Sequence, residues 1–173
     1  MDPMTARQVR FEIASVRTER DVEATRQLFR EYAASLDFDL GFQDFERELR
    51  ELPNEYAPPR GRLLLARVED SPAGCVAVRP LDEECCEMKR LYVRRGFRRL
   101  GLGRALAQAA IDVGRTAGYA RMRLDTVPQM AAARALYRTL GFREIDAYRF
   151  NPIQGTAYME LTLSEASGEA ALG

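Results

Sequence analysis

The sequence predicts an α/β protein: a mixed, mostly antiparallel twisted sheet of about seven strands with four flanking helices. Two observations carry that expectation. Short alternating or apolar runs such as VRFEIASV, RLLLARV and GCVAV are separated by turn chemistry, as strands are, while four other segments repeat apolar residues at spacings of 3 and 4, as helices do. Between residues 86 and 125 a strand, a helix and a strand follow one another, which makes those two strands parallel neighbours joined by a right-handed crossover.

Residues 9–16 alternate as a strand. Thr18, with Asp21 three residues on, reads as a capping box, opening a helix whose apolar face is Val22, Thr25, Phe29, Tyr32 and Leu36. A shorter helix is expected over 42–52, and the three prolines of 53–61 mark a turn. Arg62–Val68 and residues 74–78 read as an antiparallel hairpin joined by 69–73, and strand 86–93 runs into a turn rich in Gly and Arg. The next helix begins near Gly101, ends around Gly118 and carries Leu102, Leu106, Ala109 and Val113 on one face. Residues 119–125 form the following strand. Pro128 suits the first turn of a last helix, with Met130, Ala133, Tyr137 and Leu140 in register and Gly141 at its end. Residues 142–145 and 157–163 read as a closing antiparallel pair. One domain over residues 1–163 is expected, followed by a small, polar tail over 164–173 that frays.

Composition narrows the chemistry. The chain has 173 residues, 26 Lys+Arg against 26 Asp+Glu, and no histidine, so histidine bases, triads and metal ligands are excluded. Of its three cysteines Cys85 and Cys86 are adjacent, which suits neither a disulfide framework nor a spaced zinc site; with Cys75 they read as small buried hydrophobes. No metal is expected. There is no run of 18 apolar residues and no signal-peptide core, so a cytoplasmic protein without a membrane partner is expected. All the basic residues but Lys89 are arginine, a usage that reads as a compositional bias. Residues 89–104 hold seven cations and no acid, whereas residues 37–60 carry a net charge of −4; one segment suits an anion, the other a cation.

The informative stretch is Arg98-Arg99-Leu100-Gly101-Leu102-Gly103-Arg104, at a strand-to-helix junction. Glycines there let a ligand approach the backbone, the helix N-terminus offers free N–H groups, and arginines add charge-assisted bonds to phosphate. A plain tight turn would look the same. A Walker A loop is excluded because Leu102-Gly103 follows Gly101, and a dinucleotide fingerprint because Leu106 replaces its last small residue. So basic a loop also suits nucleic acid, but the run is short and lacks aromatic interleaving, so no nucleic-acid partner is expected.

Arg98-x-x-Gly101-x-Gly103 resembles the Arg/Gln-x-x-Gly-x-Gly/Ala signature of the Gcn5-related N-acetyltransferases, the GNAT superfamily. Ala133-x-x-Leu136-Tyr137-x-x-Leu140-Gly141-Phe142 resembles that family's C-terminal motif, and residues 87–93 resemble the strand before its loop. The three motifs cover roughly residues 75–145 in the family's order. The first 60 residues match only in outline.

The resemblance implies an acyl-CoA N-acyltransferase fold, its sheet opening into a V between strands 87–93 and 121–125. It implies acetyl-CoA as co-substrate and acetylation of an amine by direct attack in a ternary complex, and it leaves room for a homodimer. Acetyl-CoA would be held by Arg98, Arg99, Leu100, Gly101, Leu102, Gly103, Arg104 and Arg134, with the thioester carbonyl on main-chain atoms of Leu91 and Val93. Tyr137 matches the tyrosine that protonates the leaving thiolate; a core tyrosine on an apolar stripe is the rival reading. Glu87 matches a glutamate base, sharing strand parity with Leu91 and Val93, against the rival of a structural ion pair. Asp125 is a second candidate base, or a helix cap. Met130 stands where many members carry an Asn that contacts the pantetheine arm. Asp37 and Asp39, on the loop that commonly borders the acceptor pocket, suit a cationic amine; a solvated acidic loop is the rival reading. A catalytically silent acyl-CoA-binding module on the same fold, or an acyltransferase with a larger donor or an oxygen acceptor, remain alternatives.

Overall fold

The computed structural model describes residues 9–41 and 44–164. Seven strands, β1 (Phe11–Ser15), β2 (Arg62–Val68), β3 (Ser71–Pro80), β4 (Cys85–Val93), β5 (Arg121–Thr126), β6 (Arg143–Ile145) and β7 (Ala157–Thr162), form one sheet in the order β1-β2-β3-β4-β5-β7-β6. Every pairing is antiparallel except β4 with β5. Four α-helices flank it: α1 (Glu19–Ala34), α2 (Phe45–Glu51), α3 (Leu102–Thr116) and α4 (Ala131–Thr139). The start expected for α2, at Phe42 and Gln43, and nearly all of the expected tail, from residue 165, lie outside the described residues.

Alternation in the central strands creates two cores. Leu63, Leu65, Cys75 and Ala77 pack with Leu28 and Phe29 of α1 and Phe45 and Leu49 of α2. Leu64, Ala66, Val76 and Val78 face the other way, onto α3 and α4. The expected capping box of α1 is present: Asp21 N–H donates to Thr18 Oγ1 at 3.1 Å, and Thr18 N–H to Asp21 Oδ2 at 3.4 Å.

Two expectations are corrected. The β2–β3 hairpin turns through Glu69 and Asp70 alone, both left-handed (φ 49° and 68°), so β3 begins at Ser71 rather than Gly74. The buried face of α3 is Leu102, Leu106, Ala107, Ala110, Ile111 and Gly114, with Ala109 and Val113 at its margin. Small residues turn inward because the helix lies close to the sheet: a Cβ on Gly114 would come within 2.9 Å of Leu163 and 3.1 Å of Met122.

The feature that builds a site is the incomplete pairing of β4 with β5. Only Cys85, Cys86 and Glu87 pair, with Arg121, Met122 and Arg123; past that point the strands diverge into the expected V. In β4 a bulge interrupts the ladder, for Cys75 pairs with Tyr92 and Ala77 with Lys89, leaving Arg90 and Leu91 opposite Val76. Arg90 is left-handed there (φ 60°). Its buried guanidinium makes a bidentate pair with Glu48 of α2, at 2.9 and 3.2 Å, and lies over the rings of Phe45 and Tyr32. The bulge shifts the alternation. Leu91 and Val93 pack on the α3 side with Cys86 and Met88, so Glu87 does not share their face as expected.

Candidate functional site

On the α3 side a cleft of about 690 Å³ runs between the end of β4, the start of α3 and α4. Gly101 caps α3 in the left-handed region (φ 80°), and Arg99, two residues earlier, is left-handed too (φ 69°). The first main-chain bond of the helix runs from Ala105 N–H to Gly101 O at 3.1 Å, so the N–H groups of Leu102, Gly103 and Arg104 have no acceptor within the helix. A Cβ at Gly103 would meet nothing nearer than Leu136 at 3.9 Å and Val93 at 4.0 Å. Packing therefore does not demand glycine there. An anionic ligand lying on the amides would, so the loop fits a pyrophosphate.

Of the residues expected to hold acetyl-CoA, Leu91, Val93, Arg98, Arg99, Gly101, Leu102 and Gly103 line this cleft. Leu100 packs against the core instead. Arg104 Nη1 donates to Thr139 Oγ1 at 2.9 Å, and Arg134 Nη2 donates to the Gly155 carbonyl at 3.1 Å; neither lines the cleft. The basic run is also divided. Arg94 is bound by Glu31 at 2.8 Å and by the Pro72 carbonyl at 2.9 Å, and Arg90 by Glu48, which leaves Arg95, Arg98 and Arg99 as the cations of the cleft. Gln129, beside Met130, puts an amide on the same wall.

A second, smaller cavity of about 50 Å³ occupies the throat of the V and crosses the sheet. Leu36, Phe38 and Leu40 line it from the α1 side, Ala133 and Tyr137 from the α4 side. It shares Leu91, Met130 and Ala133 with the cleft, so the two spaces meet at the splayed edge of β4. Tyr137 is 7% exposed, its ring against Phe142, and its hydroxyl has no hydrogen-bond partner among the described residues. Burial, reinforced by Tyr32 and Asp125, pushes the phenol well above its usual range. Asp125 also lines the cavity and accepts from Asn151 Nδ2 at 3.3 Å. It caps no helix: neither the turn at Pro128–Met130 nor α4 has a side-chain cap.

Glu87 is placed differently from Tyr137. It is fully buried, outside the wall of the cavity, and engaged at both carboxylate oxygens. Arg79 Nε donates to Oε1 at 2.9 Å; the Tyr148 hydroxyl, at 2.6 Å, and Arg149 donate to Oε2. Burial alone would raise its pKa, but Lys89, Arg79, Arg149 and the Tyr148 hydroxyl outweigh it and hold the carboxyl below its usual range. Lys89, 8% exposed, and Arg90 are the β4 residues of this face that line the cavity.

Asp37 and Asp39 are exposed and absent from the walls, while Leu36, Phe38 and Leu40 between them turn inward. Asp39 Oδ1 accepts from Gly41 N–H at 2.7 Å, a local turn. All three cysteines are buried thiols; burial raises Cys75 and Cys85, and pushes Cys86 up to about 12. Among the described residues no cluster of Cys, Asp and Glu is built to hold a metal ion, and no helix is long and apolar enough to cross a membrane.

Alternation turns the loop acids outward, and a bulge reverses the expected parity of Glu87. Tyr148, Arg149 and Asn151 come from an aperiodic loop with no local signal.

Comparison with known proteins is consistent with this geometry. Residues 22–142 match the sequence model of the Acetyltransferase (GNAT) family. An uncharacterized N-acetyltransferase of Schizosaccharomyces pombe is 40% identical over 155 residues, covering 88% of this chain and 95% of that protein. The structure of yncA from Salmonella typhimurium with its cofactor acetyl-CoA superposes with a TM-score of 0.67 at 21% identity, covering 94% of this chain and 99% of that one. The PaiA N-acetyltransferase of Thermoplasma acidophilum, in complex with coenzyme A, gives a TM-score of 0.69 at 18% identity, covering 88% and 99%.

Proposed function

The chain belongs to the acetyltransferase (GNAT) family and is an acetyl-CoA N-acetyltransferase; on that premise we propose that it acetylates a primary amine by direct attack, with both substrates bound together. One observation carries this reading: the basic cleft and the small cavity meet at Leu91, Met130 and Ala133, with Tyr137, whose hydroxyl has no partner among the described residues, on the cavity wall. Acetyl-CoA supplies an activated thioester.

The amides of Leu102, Gly103 and Arg104, with Arg95, Arg98 and Arg99, hold its pyrophosphate. Main-chain N–H groups of β4 at Leu91 and Val93, unpaired toward β5, face the position of the thioester carbonyl. Tyr137 gives its phenolic proton to the departing sulfur, a task suited to a phenol held neutral by burial. Asp125 meets the incoming ammonium, the part that the sequence assigned to Asp37 and Asp39. Glu87, saturated by three donors, fixes Tyr148 and Arg149 and acts through position rather than as the base.

Direct attack fits the thiols, which are buried and held protonated, so no activated cysteine offers a covalent relay. The test is a mass-spectrometric screen of amines with acetyl-CoA, followed by two-substrate kinetics on the best acceptor. Intersecting lines are expected, and parallel lines would overturn direct attack. Tight acetyl-CoA binding with no acetylated product from any amine would return the chain to the silent acyl-CoA-binding alternative.

A further inference from the structure

The chain places 25 arginines and a single lysine, and that lysine is buried in the cavity wall. Arginine and lysine are alike as cations but differ in one respect: only lysine can be neutral in the ordinary pH range. The patch around Lys89 shows what arginine does here. Arg79 from β3 and Arg90 on β4 are its cationic neighbours, and each serves as a fixed positive charge for a carboxylate, Arg79 for Glu87 and Arg90 for Glu48. Lys89 shares the field of these carboxylates, but unlike the arginines it can give up its proton.

We infer that Lys89 is the proton acceptor of the reaction, taking the proton from the ammonium of the acceptor in the throat of the V. The inference rests on the acetyltransferase reading of the cavity. The need for a base is general, because an aliphatic ammonium has a pKa near ~10 and its nitrogen has no lone pair until the proton leaves. Glu87 does not fill the role, being outside the cavity and bound at both oxygens. The surroundings of Lys89 bring its neutral form within reach near neutral pH. Burial and the positive charges of Arg90 and Arg79 outweigh the carboxylates of Glu87 and Glu48, and bring its pKa down to about 8.

The protons balance as follows. The ammonium gives one proton to Lys89 Nζ, and the freed nitrogen forms the C–N bond as the C–S bond breaks. Tyr137 gives its proton to the sulfur and recovers one from the nitrogen. Lys89 then releases its proton to solvent, the single proton that acetylation of an ammonium must liberate.

A sole lysine makes the test direct. Protein grown on lysine labelled with ¹³C at Cε carries one labelled position in the chain, so titration by NMR reads Lys89 without assignment. A midpoint near 8 is expected; one at the ordinary value of about 10.4 overturns the proposal without any variant. The second arm compares Lys89→Arg and Lys89→Met over pH 6–10, using acetyl-CoA and the most rapidly acetylated amine of a panel. Both variants should lose about 100-fold or more in kcat/KM at pH 7, with a deficit that shrinks toward pH 10 as the amine arrives neutral. Wild-type activity in Lys89→Arg, or the same fold-loss at every pH, assigns Lys89 a charge-bearing or structural part and overturns the proposal. The wild type's own turnover tests the acetyltransferase reading separately, and the NMR midpoint does not depend on it.

Discussion

Replacing Gly103 by valine separates the ligand-binding role of the α3 amides from the fold. In the first turn of α3 a new Cβ meets Leu136 and Val93 at 3.9 and 4.0 Å, ordinary contact distances, so the Cβ itself displaces no neighbour. Valine is a slightly better helix residue than glycine, by at most ~0.5 kcal/mol. The melting temperature should therefore stay within about 2 °C of wild type. Acetyl-CoA binding should respond otherwise, because the valine methyls stand in the cleft over the free N–H groups. Losing two charge-assisted hydrogen bonds, at roughly 1.5–3 kcal/mol each, comes to about 3–6 kcal/mol. That corresponds to a Kd raised about 10²- to 10⁴-fold. Calorimetric titration with acetyl-CoA and a thermal melt give both quantities on one sample. An unchanged Kd with an unchanged melt would remove the loop from the cofactor site. A collapsed melt would refute the packing argument.

Other expectations follow from the same geometry. Tyr137→Phe should leave stability to urea unchanged, since the hydroxyl has no protein partner among the described residues, while kcat falls about 100-fold or more; an unchanged kcat would show that solvent protonates the thiolate. Asp125→Asn should raise KM for the amine in steady-state kinetics and leave the acetyl-CoA Kd alone. Glu87→Gln removes the anion facing Arg79 and Arg149 and should cost about 3–5 kcal/mol in urea unfolding at pH 7. Because the folded pKa of Glu87 is lowered, its contribution is present above the unfolded value of about 4.3 and fades as pH falls through the lower folded value. The gap between wild type and Glu87→Gln should therefore narrow below pH ~4, and a gap constant down to pH 2 would contradict the ion-pair account.

Sequence reading did best where residue types had few competing uses. Thr18 and Asp21 box the start of α1, and Gly101 and Gly103 mark a loop whose glycines packing does not explain. The strand–helix–strand succession located the parallel pair and therefore the V. Where partners lie far along the chain, the reading lost its way. Arg90 carries no local sign of a bulge; what holds it is Glu48, 42 residues earlier, and two rings of the α1–α2 core. That bulge inverted the expected facing of Glu87. The residues that saturate Glu87 sit 61 and 62 residues later in a loop with no periodicity.

The bulge in β4 has one more consequence. It makes the strand two rulers laid end to end, each read from a different side of the sheet. Before the bulge, Glu87 and Lys89 lie on the face away from α3, with Lys89 in the wall of the small cavity; after it, Leu91 and Val93 line the cleft beside α3. A single deletion at Arg90 would do the reverse of fine adjustment, turning one half of the strand over with respect to the other. The same bulge lets one strand wall two spaces on opposite sides of the sheet.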